Sequence, residues 1–298
     1  MTSAAQQAAQ VNRDTIFLED GEVLSTTSFP GDQFIMRVRA SKCAAAARPG
    51  SFAHITCDES VPMRRPLSIM RAREDWIEIL YKTVGGGLRQ LSRKRPGDKI
   101  SVLGPIGQPF ILTPKRPNTL LIGGGVGIPP MVFLADGLRA AGDTYRPLAI
   151  LGSEIPFPFD LLASRLPTPW LDDAINSTMP LLESWKSPCR LATLAGYEGC
   201  FDGYVTDLAD QWLATQSAEQ LAKTEVFACG PTPMLRAVAE LAAGYGLPCQ
   251  VSLEEFMACA VGGCAGCTLP IRTPDGLAMK RVCVDGPVFD AATVVWDY

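Results

Sequence analysis

Four cysteines near the C-terminal end constrain this chain more than any other feature: Cys259, Cys264, Cys267 and Cys283. They are spaced Cys-x4-Cys-x2-Cys, with fifteen residues before the fourth. This is the spacing that holds a plant-type 2Fe–2S cluster through thiolates. The residues between the first three ligands are Ala260, Val261, Gly262, Gly263, Ala265 and Gly266. None is charged and most are small, as a backbone wrapping an inorganic core requires. The plainer alternative, a structural zinc site, usually pairs two short knuckles of two cysteines each. Here a triple stands with one distant single. A disulfide framework fits less well, because the ten cysteines are scattered through 298 residues with no secretory signal before them. The other six, Cys43, Cys57, Cys189, Cys200, Cys229 and Cys249, read mostly as buried thiols behaving as small hydrophobes.

The length predicts about two domains. With 27 basic and 31 acidic residues the net charge is −4, without the basic excess expected of a nucleic-acid protein. Met1–Arg13 is polar and rich in Ala and Gln, and is expected to be a disordered leader. The uncharged run Thr119–Ala135 carries four glycines and two prolines, so no membrane span is expected. Cysteines used for metal or redox chemistry suit a reducing, cytoplasmic compartment.

Three segments follow the leader. Residues 14–112 carry short β-rich runs, Phe34–Arg39, Phe52–Thr56, Leu67–Met70, Trp76–Tyr81 and Lys99–Leu103. Turns such as Pro30-Gly31-Asp32, Pro49-Gly50 and Pro96-Gly97-Asp98 separate them, which predicts an antiparallel β-barrel or sandwich. Residues 113–250 alternate strands (Leu120–Ile122, Leu148–Leu151, Val226–Cys229) with helical stretches (Pro130–Ala141, Met234–Tyr245), which predicts a Rossmann-like parallel sheet. Residues 251–298 are the cysteine segment, ending in Trp296-Asp297-Tyr298.

Three motifs outside the cysteines carry chemistry. Gly123-Gly124-Gly125-Val126-Gly127 lies between a predicted strand and a helix, where backbone N–H groups can approach a pyrophosphate. Taken alone it is also compatible with a tight connection. Cys229-Gly230-Pro231 ends another predicted strand, and ligands of open α/β sheets sit at such ends. A buried thiol followed by a plain turn is the simpler reading. In Arg64-Arg65-Pro66-Leu67-Ser68-Ile69 an Arg beside a strand can hold a phosphate bidentately and a Ser can offer its hydroxyl to a ring heteroatom, although a solvated charge pair looks the same.

The order of these elements resembles the ferredoxin–NAD(P) reductase superfamily. The stretches Arg65–Ile69, Leu103–Gly107, Phe201–Asp207, Cys229–Leu235, Ser252–Cys259 and Val282–Phe289 resemble, within it, the electron-transfer subunits of dihydroorotate dehydrogenase. The resemblance implies an FAD-binding barrel, a nucleotide-binding α/β domain and a small 2Fe–2S segment. It implies that Arg65 binds the FAD phosphates, that Pro66 and Leu67 contact the flavin, and that Ser68 faces its ring. Gly123, Gly124, Gly125 and Gly127 would lie against the nucleotide pyrophosphate, and Cys229, Gly230 and Pro231 beside the nicotinamide. Cys229 and Ser68 are then the candidates for catalysis, and the four cysteines hold the cluster. Two places depart from the family. Gly86-Gly87-Leu88 lacks the usual threonine, which leaves only its backbone, Gly86 and Gly87, to meet the phosphates. The nucleotide turn continues Ile128-Pro129-Pro130-Met131 where Val-Ala-Pro-Leu is usual.

The function so implied is electron transfer between dihydroorotate oxidation, in pyrimidine biosynthesis, and NAD+. The partner would be a separate FMN-containing catalytic subunit, in a hetero-oligomer. Two alternatives stay open: an NAD(P)H-dependent ferredoxin or sulfur-compound reductase subunit, and a zinc-stabilised interaction protein without redox activity. Glu154, following the second strand of the nucleotide segment, could accept a ribose hydroxyl and would repel a 2′-phosphate, which favours NAD while NADP stays possible. His54, the only histidine, reads as a barrel residue, and Glu254-Glu255 as structural support for the cysteine loop.

Overall fold

The computed structural model describes residues 15–297. The expected leader, Met1–Arg13, and Tyr298 lie outside them. The first strand, β1 (Phe17–Phe29), is followed by β2 (Gln33–Arg39), helix α1 (Ser41–Ala46), β3 (Phe52–Ile55), β4 (Arg65–Arg73), β5 (Trp76–Lys82), helix α2 (Gly85–Leu91) and β6 (Lys99–Ile106). These six strands close into an antiparallel barrel in the order β1-β2-β5-β4-β3-β6. Alternation explains its core: Met36 and Val38, Ala53 and Ile55, Ile77 and Ile79 point inward and are fully buried.

A seven-stranded sheet follows. Its strands and helices are β7 (Asn118–Gly124), α3 (Ile128–Ala140), β8 (Arg146–Gly152), β11 (Cys189–Thr193), β12 (Phe201–Asp202), α5 (Val205–Ala214), β13 (Thr224–Cys229), α7 (Thr232–Gly244), β14 (Cys249–Ser252) and β17 (Val288–Asp290). Short elements lie between them: β9 (Leu162–Ala163), β10 (Ser177–Thr178), α4 (Pro180–Ser184) and α6 (Ala218–Ala222). The sheet order is β12-β11-β8-β7-β13-β14-β17. Its strands pair in parallel except the last, which runs antiparallel to β14. The central strands β7 and β13 are almost wholly buried, and their second halves, Leu120–Gly124 and Val226–Cys229, are apolar, as parallel strands covered on both faces must be. The hairpin β15 (Thr268–Thr273) and β16 (Gly276–Arg281) completes the chain between β14 and β17.

Helix α3 joins the two bodies. Its residues Ile128, Met131, Val132 and Leu134 pack into the sheet core, together with Met70 and Leu80 from the barrel. Phe133, on another side of the same helix, enters the barrel core. Asp136, 3% exposed, binds Arg73 of β4 and accepts a hydrogen bond from Arg139 Nη2 at 2.9 Å. A buried carboxylate held by two arginines is satisfied in place, and removing both cations would leave its charge uncompensated. No helix among the described residues is long and apolar enough to cross a membrane.

Candidate redox site

The strand order of the sheet reverses between β7 and β13, since β8 lies to one side of β7 and β13 to the other. A crevice opens at the carboxyl ends of strands at such a point. The two glycine-bearing turns meet there, with Cys229 the register partner of Gly123. They touch closely. A Cβ on Gly127 would stand 2.2 Å from the Cys229 carbonyl oxygen, and one on Gly124 or Gly230 would stand 2.4 Å from the Met234 side chain. Gly125 is left-handed at φ +55° and faces open space. The Gly125–Gly127 3₁₀ turn leads directly into α3, with prolines in the first helical turn and no side-chain cap. Pro129 and Pro130 carry no N–H, and the Ile128 N–H donates to the Gly125 carbonyl, so backbone donors to a ligand at this helix end must come from the glycine turn.

Between this crevice and the barrel lies a cleft of about 320 Å³. Pro66, Leu67 and Ser68 of β4 form one wall, and Tyr81, Lys82, Val84 and Leu88 continue it. Val126 comes from the nucleotide turn, and Glu254, Glu255, Met257 and Pro287 from the cysteine segment. The cleft is thus apolar with a few polar groups, the composition of a small-molecule site. The adjacent arginines divide their tasks. Arg64 donates from Nη1 to the carbonyls of His54 (3.0 Å) and Ser101 (3.1 Å), and from Nη2 to Ser101 Oγ (2.8 Å), so it braces the barrel. Arg65 is held by the carbonyls of Met63 and Arg64 and lies over the start of α2, where a Cβ on Gly87 would stand 3.2 Å from its Nη2. Gly85 and Gly86 face open space. A cation beside uncapped amides suits a pyrophosphate, so these residues fit an FAD.

Cys229 is 1% exposed, and burial, with Glu254 nearby, pushes its thiol well above the ordinary range. It is a neutral group under the crevice floor and not a thiolate nucleophile. Glu254 lines the cleft and keeps an exposed surface, while the protein packed beside it raises its pKa by desolvation. Glu154 is exposed past the end of β8, on the far side of β7 from Cys229.

The four cysteines lie around one loop, with Cys267 and Cys283 buried, Sγ to Sγ 3.3 Å, and Cys264 exposed. Among the described residues no three His, Cys, Asp or Glu side chains gather tightly enough to hold a single metal ion. Backbone N–H groups instead point at sulfur: Cys264 N lies 3.4 Å from Cys259 Sγ, and Gly266 N 3.4 Å from Cys264 Sγ. Burial raises the Cys259 thiol, but the N–H groups of Cys264, Val261 and Gly263 outweigh it and hold the thiol below its usual range. Four thiols, two of them with amide donors directed at sulfur, and no imidazole nearby, fit an iron–sulfur cluster.

The closed barrel beside a switch-point crevice, with a flavin-sized cleft between, defines a flavin reductase of the ferredoxin-reductase type carrying a thiolate cluster. Residues 254–295 match the family model of the iron–sulfur cluster binding domain of dihydroorotate dehydrogenase B. The electron transfer subunit of NAD(+)-dependent dihydroorotate dehydrogenase B from Caldanaerobacter subterraneus subsp. tengcongensis is 33% identical over 83% of this chain and 87% of its own length. That of Geobacillus thermodenitrificans is 35% identical over 83% and 86%. The chain belongs to the family of dihydroorotate dehydrogenase B electron transfer subunits. Among solved structures, that of an NADH-dependent reduced ferredoxin–NADP oxidoreductase, studied for flavin-based electron bifurcation, superposes with a TM-score of 0.75. It is 27% identical over 94% of this chain and 91% of its own.

Proposed function

We propose that this chain is the electron transfer subunit of a dihydroorotate dehydrogenase, an NAD-linked oxidoreductase subunit that uses FAD and a 2Fe–2S cluster. The observation that carries this is the shared wall: the segment that bears the cysteines also lines the cleft, through Glu254, Glu255 and Met257 before Cys259 and Pro287 after Cys283. Bound together, flavin and cluster supply two-electron exchange with a nicotinamide on one side and single-electron exchange with a partner on the other. The residues of this chain position that exchange. Arg65, with the amides of Gly86 and Gly87, neutralises and orients the FAD phosphates. Pro66 and Leu67 exclude water from one side of the cleft, and Ser68 offers a hydroxyl. The amides of Gly125 and Gly127 receive the nucleotide pyrophosphate, while Gly123 and Gly124 let the neighbouring turn approach. Gly230 and Pro231 close the crevice over the buried, neutral Cys229. Glu154 favours NAD over NADP by repelling a 2′-phosphate. Cys259, Cys264, Cys267 and Cys283 hold the cluster, and exposed Cys264 marks the side open to a partner. That partner is an FMN-bearing catalytic subunit in a hetero-oligomer, and we place the complex in the cytoplasm.

The test is reconstitution. The chain mixed with its catalytic subunit should reduce NAD+ with dihydroorotate, while the chain alone should reduce artificial acceptors with NADH and leave dihydroorotate untouched. Dihydroorotate oxidation by the chain alone would refute the division of labour. A second reading, a subunit serving ferredoxin, is favoured by the similarity to the NADH-dependent ferredoxin–NADP oxidoreductase over nearly the whole chain. Electron transfer with reduced ferredoxin and none with a dihydroorotate-oxidising subunit would select it.

A further inference from the structure

The loop carrying Cys259 and Cys264 is built from backbone conformations that side chains resist. Ala260, Gly262 and Ala265 all have positive φ, at +56°, +82° and +54°. For the two alanines this conformation is disfavoured, so the loop needs external support. Arg281, at the end of β16, supplies it. Its Nη1 donates to the Gly262 carbonyl at 3.0 Å. Gly262 has no room to move away: a Cβ there would stand 2.6 Å from Val284 and 3.2 Å from Arg281 Nη1.

Arg281 is itself fixed. Its backbone N donates to Asp285 Oδ2 at 2.8 Å, and its Nε lies 3.5 Å from the same oxygen. Its carbonyl accepts from the amides of Val284 (3.1 Å) and Asp285 (2.8 Å). The guanidinium therefore projects from a closed turn, with the carboxylate beside its stem and Nη1 aimed at the loop.

Gly262 stands between two sulfurs. Its own N–H acts to lower the Cys283 thiol and the next N–H, of Gly263, the Cys259 thiol, so both amides lie in reach of sulfur. The carbonyl held by Arg281 and the Gly263 N–H belong to one peptide unit. A cation on that carbonyl fixes the plane of the peptide and polarises its N–H toward sulfur, since hydrogen bonds in a chain strengthen one another.

We propose that Arg281 is a positioning residue for the 2Fe–2S cluster: it locks the Gly262–Gly263 peptide against the cysteine sulfurs and, by its charge, raises the reduction potential of the cluster. The inference rests on the reading that the four cysteines hold such a cluster. Reduction adds one electron to a group that thiolates and sulfides already make anionic, so a nearby cation and well-directed N–H groups favour the reduced form. Asp285 moderates the effect without reversing it, because Nη1 is the end of the fork nearest the loop.

The experiment uses the full chain with its cofactors bound, compared with Arg281→Gln and Arg281→Lys. Iron content, the electron paramagnetic resonance spectrum of the reduced cluster, its midpoint potential and the rate of iron loss to a chelator are measured. Arg281→Gln should bind iron and show a midpoint shifted to more negative potential. Arg281→Lys keeps the charge but not the planar fork, so its midpoint should stay near wild type while iron is lost several-fold faster. An Arg281→Gln midpoint equal to or more positive than wild type overturns the proposal. Should Arg281→Gln fail to hold iron, Arg281→Lys decides: a midpoint as wild type with faster iron loss supports it, and wild-type iron retention overturns it. A wild-type chain that never shows cluster absorption would defeat the cysteine reading itself, a failure visible before any substitution is made.

Discussion

Gly127→Ala tests the junction of the two strand ends most directly. The added methyl would lie 2.2 Å from the Cys229 carbonyl oxygen, 2.3 Å from its carbon and 2.5 Å from Gly230 N, all backbone atoms. Real contacts of this kind stay beyond 3.0 Å, so the Cys229–Gly230 turn or the start of α3 must move by at least about 0.8 Å. Misplacement of a positioning group by about 1 Å costs on the order of 100-fold in rate, which is about 2.7 kcal/mol in the barrier. Overpacking itself costs about 1–3 kcal/mol of stability. The expected result is a kcat/KM for NADH-driven flavin reduction lowered by roughly 10- to 100-fold. FAD and iron content should be unchanged, with a fall of several degrees in Tm. Gly142→Ala is the control, since Gly142 is also left-handed (φ +70°) but has nothing within 4 Å of its Cβ position. It should lose about 1–2 kcal/mol of stability from strain and leave the NADH kinetics intact. Wild-type kinetics in Gly127→Ala, measured by stopped-flow flavin bleaching, would show that the two turns do not form the nucleotide crevice.

Cys264→Ser should remove or destabilise the cluster, seen as lost iron and visible absorption, while NADH still reduces the bound flavin; an unchanged cluster spectrum would refute the ligand assignment. Arg65→Ala removes a charge-assisted phosphate contact of about 1.5–3 kcal/mol, so FAD affinity measured by fluorescence titration should fall roughly ten- to hundred-fold. Arg64→Ala should lower Tm with a smaller effect on FAD, because that guanidinium is spent on the carbonyls of His54 and Ser101. Burial lowers His54 from its ordinary 6.5 to about 4. Between these values the unfolded chain binds a proton that the folded chain refuses, so stability is full above pH 6.5 and falls as the pH drops toward 4. At 1.36 kcal/mol per pH unit the loss approaches about 3 kcal/mol. Denaturant titrations at pH 7 and pH 4.5 should find it, and His54→Phe should flatten it.

The cysteines were legible because a cluster-binding loop is local, and its spacing and small residues lie within a few positions of one another. The barrel strands that alternate between sharp turns were legible for the same reason. The strand Phe17–Phe29 was not: it is largely polar, and its stability comes from pairing with β2 and β6 on either side. Arg64 and Arg65 could not be told apart in sequence, since neighbours on an extended chain point to opposite faces and only the fold decides which face has a cleft. Glu254 and Glu255 read as supports of the cysteine loop, and the folded chain places both on the cleft wall. No short motif foretells that, nor the role of Arg281, because each depends on a segment returning to meet another laid down earlier. The same holds for Tyr81 and Lys82 of β5 and for Val126 of the glycine turn, which reach the cleft from separate elements.

The return of β17 to lie beside β14 has a consequence for modularity. Ser252 and Val288 are register partners, and just beyond them Leu253 N donates to the Pro287 carbonyl at 2.9 Å. Residues 253–287 therefore leave and re-enter the sheet through a single doorway about 5 Å wide. A cassette with such closely spaced ends can be exchanged or removed without re-routing the parallel strands, as insertions between adjacent positions are in other folds. Because Glu254, Met257 and Pro287 travel with it, any replacement must also rebuild one side of the cleft. A wire grafted into this doorway would thus bring its own contact to the flavin, which makes the segment a natural unit for rewiring electron flow to a different acceptor.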